Sequence, residues 1–234
     1  MKIEDVEKLL AMTFRDQALL TEALTHRSYL NENPSWRLPH NERLEFLGDA
    51  VLELAVTRFL FDKNPGEGEG TLTLFRAALV NSRTLARVAE DLGIKDYLLV
   101  SRGEAQANGR ATETILANTF EALIGAIYLD QGYEAAERFI AARILPKFEE
   151  MKGDNSYKDP KSLLQELIQA ELRVTPTYRT LDESGPDHQK VFRVGVYFND
   201  VLKGDGSGPS KQEAETAAAA NLLNALQRNG RPVP

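Results

Sequence analysis

Apolar positions recur at three- and four-residue spacing in Val6–Met12, Ala18–Leu24, Leu44–Phe61, Leu72–Leu92 and Ile115–Leu129, the period of helices that lay one face on a core. The breaks carry turn chemistry: Asn31-Glu32-Asn33-Pro34, Lys63-Asn64-Pro65-Gly66, Gly103–Gly109 and Asp130-Gln131-Gly132. No strand pattern interrupts this stretch, so residues 1–151 are expected to form an all-α domain. The pattern then changes. Residues 152–157, opening Lys152-Gly153-Asp154, are polar and glycine-bearing and predict a linker. Asp159-Pro160 combines an N-cap with a first-turn proline and opens a helix over Lys161–Leu172. Three strand-like runs follow. The clearest is Val191–Phe198, where Phe192, Val194, Val196 and Phe198 alternate with Arg193, Gly195 and Tyr197. Asn199-Asp200 reads as a tight turn into Val201–Lys203, Gly204–Pro209 as a loop, and Ser210–Gln227 as an alanine-rich helix. Residues 158–228 thus predict a small α+β domain of order α-β-β-β-α, with a short tail over 229–234.

A chain of 234 residues accommodates these two unequal domains. The absence of cysteine excludes disulfides and Cys-ligated metals. The acidic start Met1–Glu7 lacks the apolar run of a signal peptide, and no window reaches the roughly 18 apolar residues of a membrane span. A cytoplasmic protein without a membrane partner is expected. The net charge of −7 argues against a nucleic-acid partner when taken alone. Its distribution weakens that argument: residues 158–234 balance 10 Lys and Arg against 10 Asp and Glu, so the whole deficit lies in residues 1–157. A carboxylate-rich first domain can hold cations, and a neutral second domain can still present a basic patch.

Glu42, Glu45 and Asp49 stand at offsets of 0, 3 and 7, which at about 100° per residue puts all three carboxylates on one helix face. A solvated acidic stripe is the plain explanation. Leu44, Leu47, Val51, Leu54 and Ala55 on the other faces argue against it, since they predict a helix buried on most sides, where unpaired carboxylates are costly. A second helix repeats the arrangement: Asn118 and Glu121 stand at i and i+3 among apolar neighbours, and Gly125-Ala126 would let another helix approach closely. Two such helices packed together would converge four or five oxygen ligands. Oxygen-only ligation suits Mg²⁺, with Mn²⁺ as a substitute. Zinc is not expected, because His26, His40 and His188 lack zinc-ligand spacing. No Ser-His-Asp arrangement is present. His26 reads as a packed, hydrogen-bonded histidine, and Trp36 as a packing or dimer-surface residue.

The stretch Asn41-Glu42-Arg43-Leu44-Glu45-Phe46-Leu47-Gly48-Asp49-Ala50-Val51-Leu52 resembles the signature of bacterial ribonuclease III, and Thr119–Tyr128 resembles that family's second catalytic helix. Leu24–Tyr29, Glu69–Thr73 and Ala78–Asn81 match as well, so the likeness covers essentially the whole chain except its tail. It implies an endonuclease for double-stranded RNA that processes ribosomal RNA precursors and structured messenger RNAs. It also implies a homodimer, 5′-phosphate and 3′-hydroxyl products, and two-nucleotide 3′ overhangs. By the same likeness Glu45, Asn118 and Glu121 are metal ligands, Asp49 and Glu121 catalytic carboxylates, and Glu42 and Glu69 auxiliary acidic positions. One departure stands out: the family usually has Asp where this chain has Asn118, which makes the site less negative.

The C-terminal domain resembles a double-stranded RNA-binding domain. Gln165, Glu166 and Gln169 form a polar stripe on its first helix that could meet a minor groove. Pro186, Asp187 and His188 lie in the loop between the first two strands, which could enter the next groove. Ser210, Lys211 and Gln212 open the last helix, where backbone N–H groups favour phosphate. Each has a plainer reading: a wet helix face, a solvated loop, and a Ser210/Glu213 capping box. Two rival functions remain open at this point. One is a duplex-binding protein that lost cleavage through Asn118; the other is a helical phosphohydrolase acting on small nucleotides.

Overall fold

A computed structural model describes residues 2–106, 109–154, 157, 159–186 and 189–228. The chain divides into two compact units, Met1–Tyr157 and Lys158–Pro234. No helix among the described residues is long and apolar enough to cross a membrane.

The first unit is helical: α1 (Ile3–Leu10), α2 (Gln17–Ala23), α3 (Arg27–Glu32), α4 (Glu42–Lys63), α5 (Glu69–Val80), α6 (Ser82–Asp91), a 3-10 turn (Ile94–Tyr97), α7 (Arg102–Gln106), α8 (Arg110–Gln131), α9 (Tyr133–Arg143) and α10 (Leu145–Asp154). Its one extended contact among the described residues is a single bridge between Thr25 and Leu99. The 22-residue helices α4 and α8 form the spine, and Leu44, Leu52, Val56, Leu116, Phe120, Leu123 and Ile127 are buried between and around them.

Several elements depart from the periodicity. The run Leu72–Leu92 is two helices. Asn81 ends α5 by donating to the Ala78 carbonyl (2.8 Å) and starts α6 by accepting the Thr84 N–H (2.9 Å), so one side chain caps both helices. The expected linker does not begin at Lys152, because α10 continues through Asp154. Tyr157 also belongs to the first unit, edge-on to Phe75 at 4.6 Å in a stack with Phe148 and Phe59. Apolar anchoring overrode the polar composition there. The helix α4 is not buried on most sides either: Phe46, Leu54 and Phe61 are 82, 57 and 70 % exposed.

The second unit runs α11 (Pro160–Leu172), β1 (Thr177–Ser184), β2 (Val191–Phe198), β3 (Val201–Gly208) and α12 (Lys211–Arg228), with an antiparallel sheet in the order β1-β2-β3. Asp159 caps α11 by accepting the N–H groups of Lys161 and Ser162 at 3.0 and 3.2 Å. Asn199 and Asp200 turn the β2–β3 hairpin with φ of 46° and 65°, the left-handed pair that matches strand twist. Gly204–Gly208 is strand, contrary to the loop expected from its glycines. A Cβ at Gly206 would lie 2.2 Å from the Ala218 nitrogen, and one at Gly208 2.8 Å from the Ala214 nitrogen. The glycines therefore mark where β3 presses against the alanine-rich α12, a close approach rather than a turn.

Candidate active site

The two long helices cross at Gly48 and Gly125. A Cβ on Gly48 would sit 1.8 Å from the Glu121 carbonyl oxygen, and one on Gly125 2.2 Å from that of Leu44. The backbones touch with nothing between them. Glu45 and Asp49 flank the crossing on α4, while Asn118 and Glu121 flank it on α8. Glu45, Asn118 and Glu121 are half-buried and Asp49 is exposed. The helical spacing points to Gly125 as permitting close approach; its partner Gly48 lies among larger residues of α4, and only the crossing itself shows its role.

Asp49 and Glu45 lie near enough to Glu121, and Asn118 near enough to Glu45, to shift those carboxyls. Burial, then Asp49, then Glu45 push the Glu121 carboxyl up to about 7. Burial also raises Glu45, with Glu42 next; the Asn118 amide works the other way as a hydrogen-bond donor, and Asp49 adds to the rise. No basic side chain contributes to either group. By contrast, Glu42 is exposed, 3.6 Å from Arg27 and 3.9 Å from His40 Nδ1, and Glu53 meets Arg76 at 3.3 Å. An acidic pocket without a protein cation, whose donors are all oxygen, suits a hard divalent cation. Among the described residues, however, no three His, Cys, Asp or Glu side chains are gathered around a single point. The convergence of four or five ligands expected from the helical spacing is therefore not assembled around one point: Glu45, Asp49 and Glu121 lie along the crossing, and the fourth position is an amide.

Glu69 is not brought to this cluster within one chain. It opens α5 and lines a cavity of about 440 Å³ with Thr57, Leu60, Phe61 and Arg76. That is the other end of α4: Leu60 is eleven residues past Asp49, or roughly 16 Å along the helix. His26 has a structural task. Its Nδ1 caps α3 by accepting the Ser28 N–H at 3.3 Å and pairs with Ser28 Oγ at 2.8 Å, while Ser28 Oγ accepts the Ser101 N–H at 3.0 Å. Trp36 packs edge-on against Tyr29 with ring centroids 5.2 Å apart.

In the second unit Gln165, Glu166 and Gln169 are exposed on α11, and the Gln169 amide donates to Thr175 Oγ1 at 3.2 Å. Gln165 and Gln212 line one cavity of about 320 Å³ with Asp159, Lys161 and Tyr178, which joins the first helix to the start of the last. Pro186 is exposed, its carbonyl accepting the Gln189 N–H at 2.8 Å; Asp187 and His188 lie outside the described residues. Ser210 Oγ accepts the Glu213 N–H at 3.2 Å, capping α12. Lys211 is engaged by Glu183 at 3.0 Å.

Residues 16–148 match the ribonuclease-III-like family and residues 160–226 the double-stranded RNA binding motif. Ribonuclease 3 of Roseiflexus sp. (strain RS-1) is 44% identical over 227 residues, covering 96% of both chains. That of Bacillus cereus (strain G9842) is 46% identical over 222 residues, 94% of this chain and 90% of its own. A solved nuclease domain of ribonuclease III from Campylobacter jejuni, 41% identical, superposes with a TM-score of 0.55 over 62% of this chain and 99% of that one; its description concerns flexibility in a region involved in dimer formation. An acidic helix crossing followed by a duplex-binding unit, matched over nearly the full length of these relatives, places the chain in the ribonuclease III family of endonucleases that cut double-stranded RNA.

Proposed function

We propose that Glu45, Asn118 and Glu121, with Asp49 beside them, hold Mg²⁺ and carry out hydrolysis of the phosphodiester. The observation that carries this is the Gly48–Gly125 crossing, which buries Glu121 near Asp49 and Glu45, so that burial first and the two carboxylates next push it up to about 7. Bound there, the cation would supply Lewis-acid chemistry, activating water near neutral pH and neutralising charge on the leaving 3′ oxygen. Glu45 and Glu121 supply the inner charges and Asn118 a neutral carbonyl oxygen. Asp49, the most open of the four, faces arriving substrate and is placed to orient the attacking water and take its proton. Glu42, held by Arg27, borders the cluster and tunes it through Glu45. The products are 5′-phosphate and 3′-hydroxyl ends.

The exposed positions of α4 support a homodimer. Phe46, Ala50, Leu54, Thr57 and Phe61 fall within about 80° of one another at helical spacing, a stripe on the side away from the core, and Leu74 of α5 is also 47 % exposed. A second copy covering that stripe gives two sites, one for each strand of a duplex, and the two-nucleotide overhang follows from their offset. The task is cytoplasmic processing of ribosomal and messenger RNA precursors. In the second unit, Gln165, Glu166 and Gln169 meet one minor groove, Pro186, Asp187 and His188 the next, and Ser210, Lys211 and Gln212 the phosphates between. Leu54→Glu will convert the dimer to a monomer in sedimentation; a variant that still sediments as a dimer excludes this face.

A long RNA duplex incubated with and without Mg²⁺ tests the whole reading. Short 5′-phosphorylated fragments formed only with Mg²⁺ support it. A bound but intact duplex would favour a cleavage-impaired binder, the reading that Asn118 keeps open. Restoring the charge is informative too: Asn118→Asp will lower the Mg²⁺ concentration for half-maximal cleavage by about 10-fold, since each ligand charge adds affinity. An unchanged Mg²⁺ titration refutes Asn118 as a ligand.

A further inference from the structure

Glu183 is the second-to-last residue of the first strand of the RNA-binding unit, and its carboxylate is shared by two lysines. Lys190, immediately before β2, reaches it at 3.1 Å, and Lys211, the first residue of α12, at 3.0 Å. Phe192 is the cross-strand partner of Glu183, and both ammonium groups sit over its ring, at 5.5 and 5.6 Å from the centroid. The hydrogen bonds from Lys211 and then Lys190 hold the Glu183 carboxyl below the usual range, so it stays ionised at neutral pH. The cluster ties together two of the three segments assigned to RNA: the loop that leaves β1 after Glu183, and the phosphate-facing start of α12. Lys211 is also the only base in Ser210-Lys211-Gln212. It is exposed yet already committed to a carboxylate.

We propose that Glu183 competes with RNA phosphate for Lys190 and Lys211, and thereby sets how strongly and how selectively this unit binds a duplex. This rests on the reading of Lys211 as phosphate-facing. A phosphate arriving at α12 must displace the carboxylate, and an exposed ion pair is weak enough to be exchanged. Until then, one negative charge offsets two positive ones at the surface that RNA approaches. Phe192 keeps both ammonium groups over its face, so they stay in place when the carboxylate gives way. Phosphate attraction carries no information about duplex shape, whereas the contacts of Gln165 and Gln169 with a minor groove do. Restraining the lysines shifts affinity toward the shape-dependent contacts. Lys190, which the sequence did not single out, becomes an RNA-contacting residue by the same argument.

The test uses the full-length protein in chelator, so that RNA stays intact, with a duplex longer than the ~16 base pairs one such domain spans. Glu183→Gln and Glu183→Ala are compared with Lys211→Ala and with the Glu183→Gln/Lys211→Ala double variant. Both Glu183 variants should tighten duplex binding by roughly 3- to 10-fold at low salt and steepen the log–log salt dependence by about 0.9 for each additional phosphate neutralised. Single-stranded RNA should gain more than the duplex, and Lys211→Ala should remove most of the gain. A Glu183 that merely braces the fold would give weaker binding and lower thermal stability instead. If Lys211→Ala weakens binding while both Glu183 variants leave affinity and salt slope unchanged, the competition does not exist. If Lys211→Ala itself changes nothing, Lys211 does not face phosphate and the underlying reading fails first.

Discussion

Glu121→Gln will reduce duplex cleavage on the order of 10³-fold and, in the same variant, make the metal-free nuclease unit more stable at pH 8. The two effects share one cause. Burial and the neighbouring Asp49 and Glu45 push the Glu121 carboxyl from the ordinary 4.5 up to about 7. Below pH 4.5 the group is protonated in both folded and unfolded chains, and no penalty exists. Between pH 4.5 and 7 the unfolded chain ionises first, so stability falls as pH rises; above 7 the full penalty is present. A glutamine keeps the shape and never ionises. Allowing for solvent screening of a group that is only partly buried, the gain is on the order of 1–2 kcal/mol. Trp36 is the only tryptophan and lies in the nuclease unit, so its fluorescence in urea with chelator present reads that unit's stability. The native protein should lose stability from pH 5 to 8, and the variant should lose less. Mg²⁺ should restore stability to the native protein at pH 8 and do less for the variant, because a ligand stabilises only what binds it. Parallel pH profiles for the two proteins would remove Glu121 from the shared acidic site.

The acidic cluster was legible because its two halves obey helical spacing, and the helical and α-β-β-β-α organisation because the period changes abruptly near residue 152. Other features depended on tertiary context. Gly204–Gly208 looked like a loop because glycine usually marks a turn; only the facing Ala214 and Ala218 show that the missing side chains make room for a helix. Leu54 looked like core because a period of 3.6 does not distinguish an apolar face turned inward from one turned outward, and Leu54 is 57 % exposed. Lys152–Asp154 looked like a linker because its composition is polar, while Phe148 and Tyr157 on either side supplied the anchoring. The Glu183 cluster left no trace at all. Its members lie at 183, 190, 192 and 211, and only strand pairing together with the packing of α12 on the sheet brings them together.

Gly48→Ala will damage the nuclease more than any surface substitution, although alanine is the better helix former by about 1 kcal/mol. The added Cβ would lie 1.8 Å from the Glu121 carbonyl oxygen and 2.9 Å from the Gly125 nitrogen. Both obstacles are backbone, so no rotamer change relieves them. The helices must part by roughly 1.5 Å to restore ordinary contact, and that movement strips packing from the centre of the unit. Overpacking of this kind costs about 1–3 kcal/mol or more, which for a unit of this size lowers Tm by roughly 2–12 °C. The chemistry suffers independently of the stability. Glu45 and Asp49 ride on one helix, Asn118 and Glu121 on the other, and a displacement of about 1 Å at a reacting centre is worth on the order of 10² in rate. Cleavage assayed well below the lowered Tm should therefore still be about 10²-fold slower, with duplex binding by the C-terminal unit unchanged. Gly66→Ala is the control, since a Cβ there meets nothing within 4 Å. Separating the helices also admits water to Glu121, whose burial is the largest cause of its raised pKa, so Gly48→Ala should flatten the pH dependence of stability that Glu121 imposes on the native protein. A Gly48→Ala protein with native Tm and native cleavage would mean that the crossing is not what holds the site together.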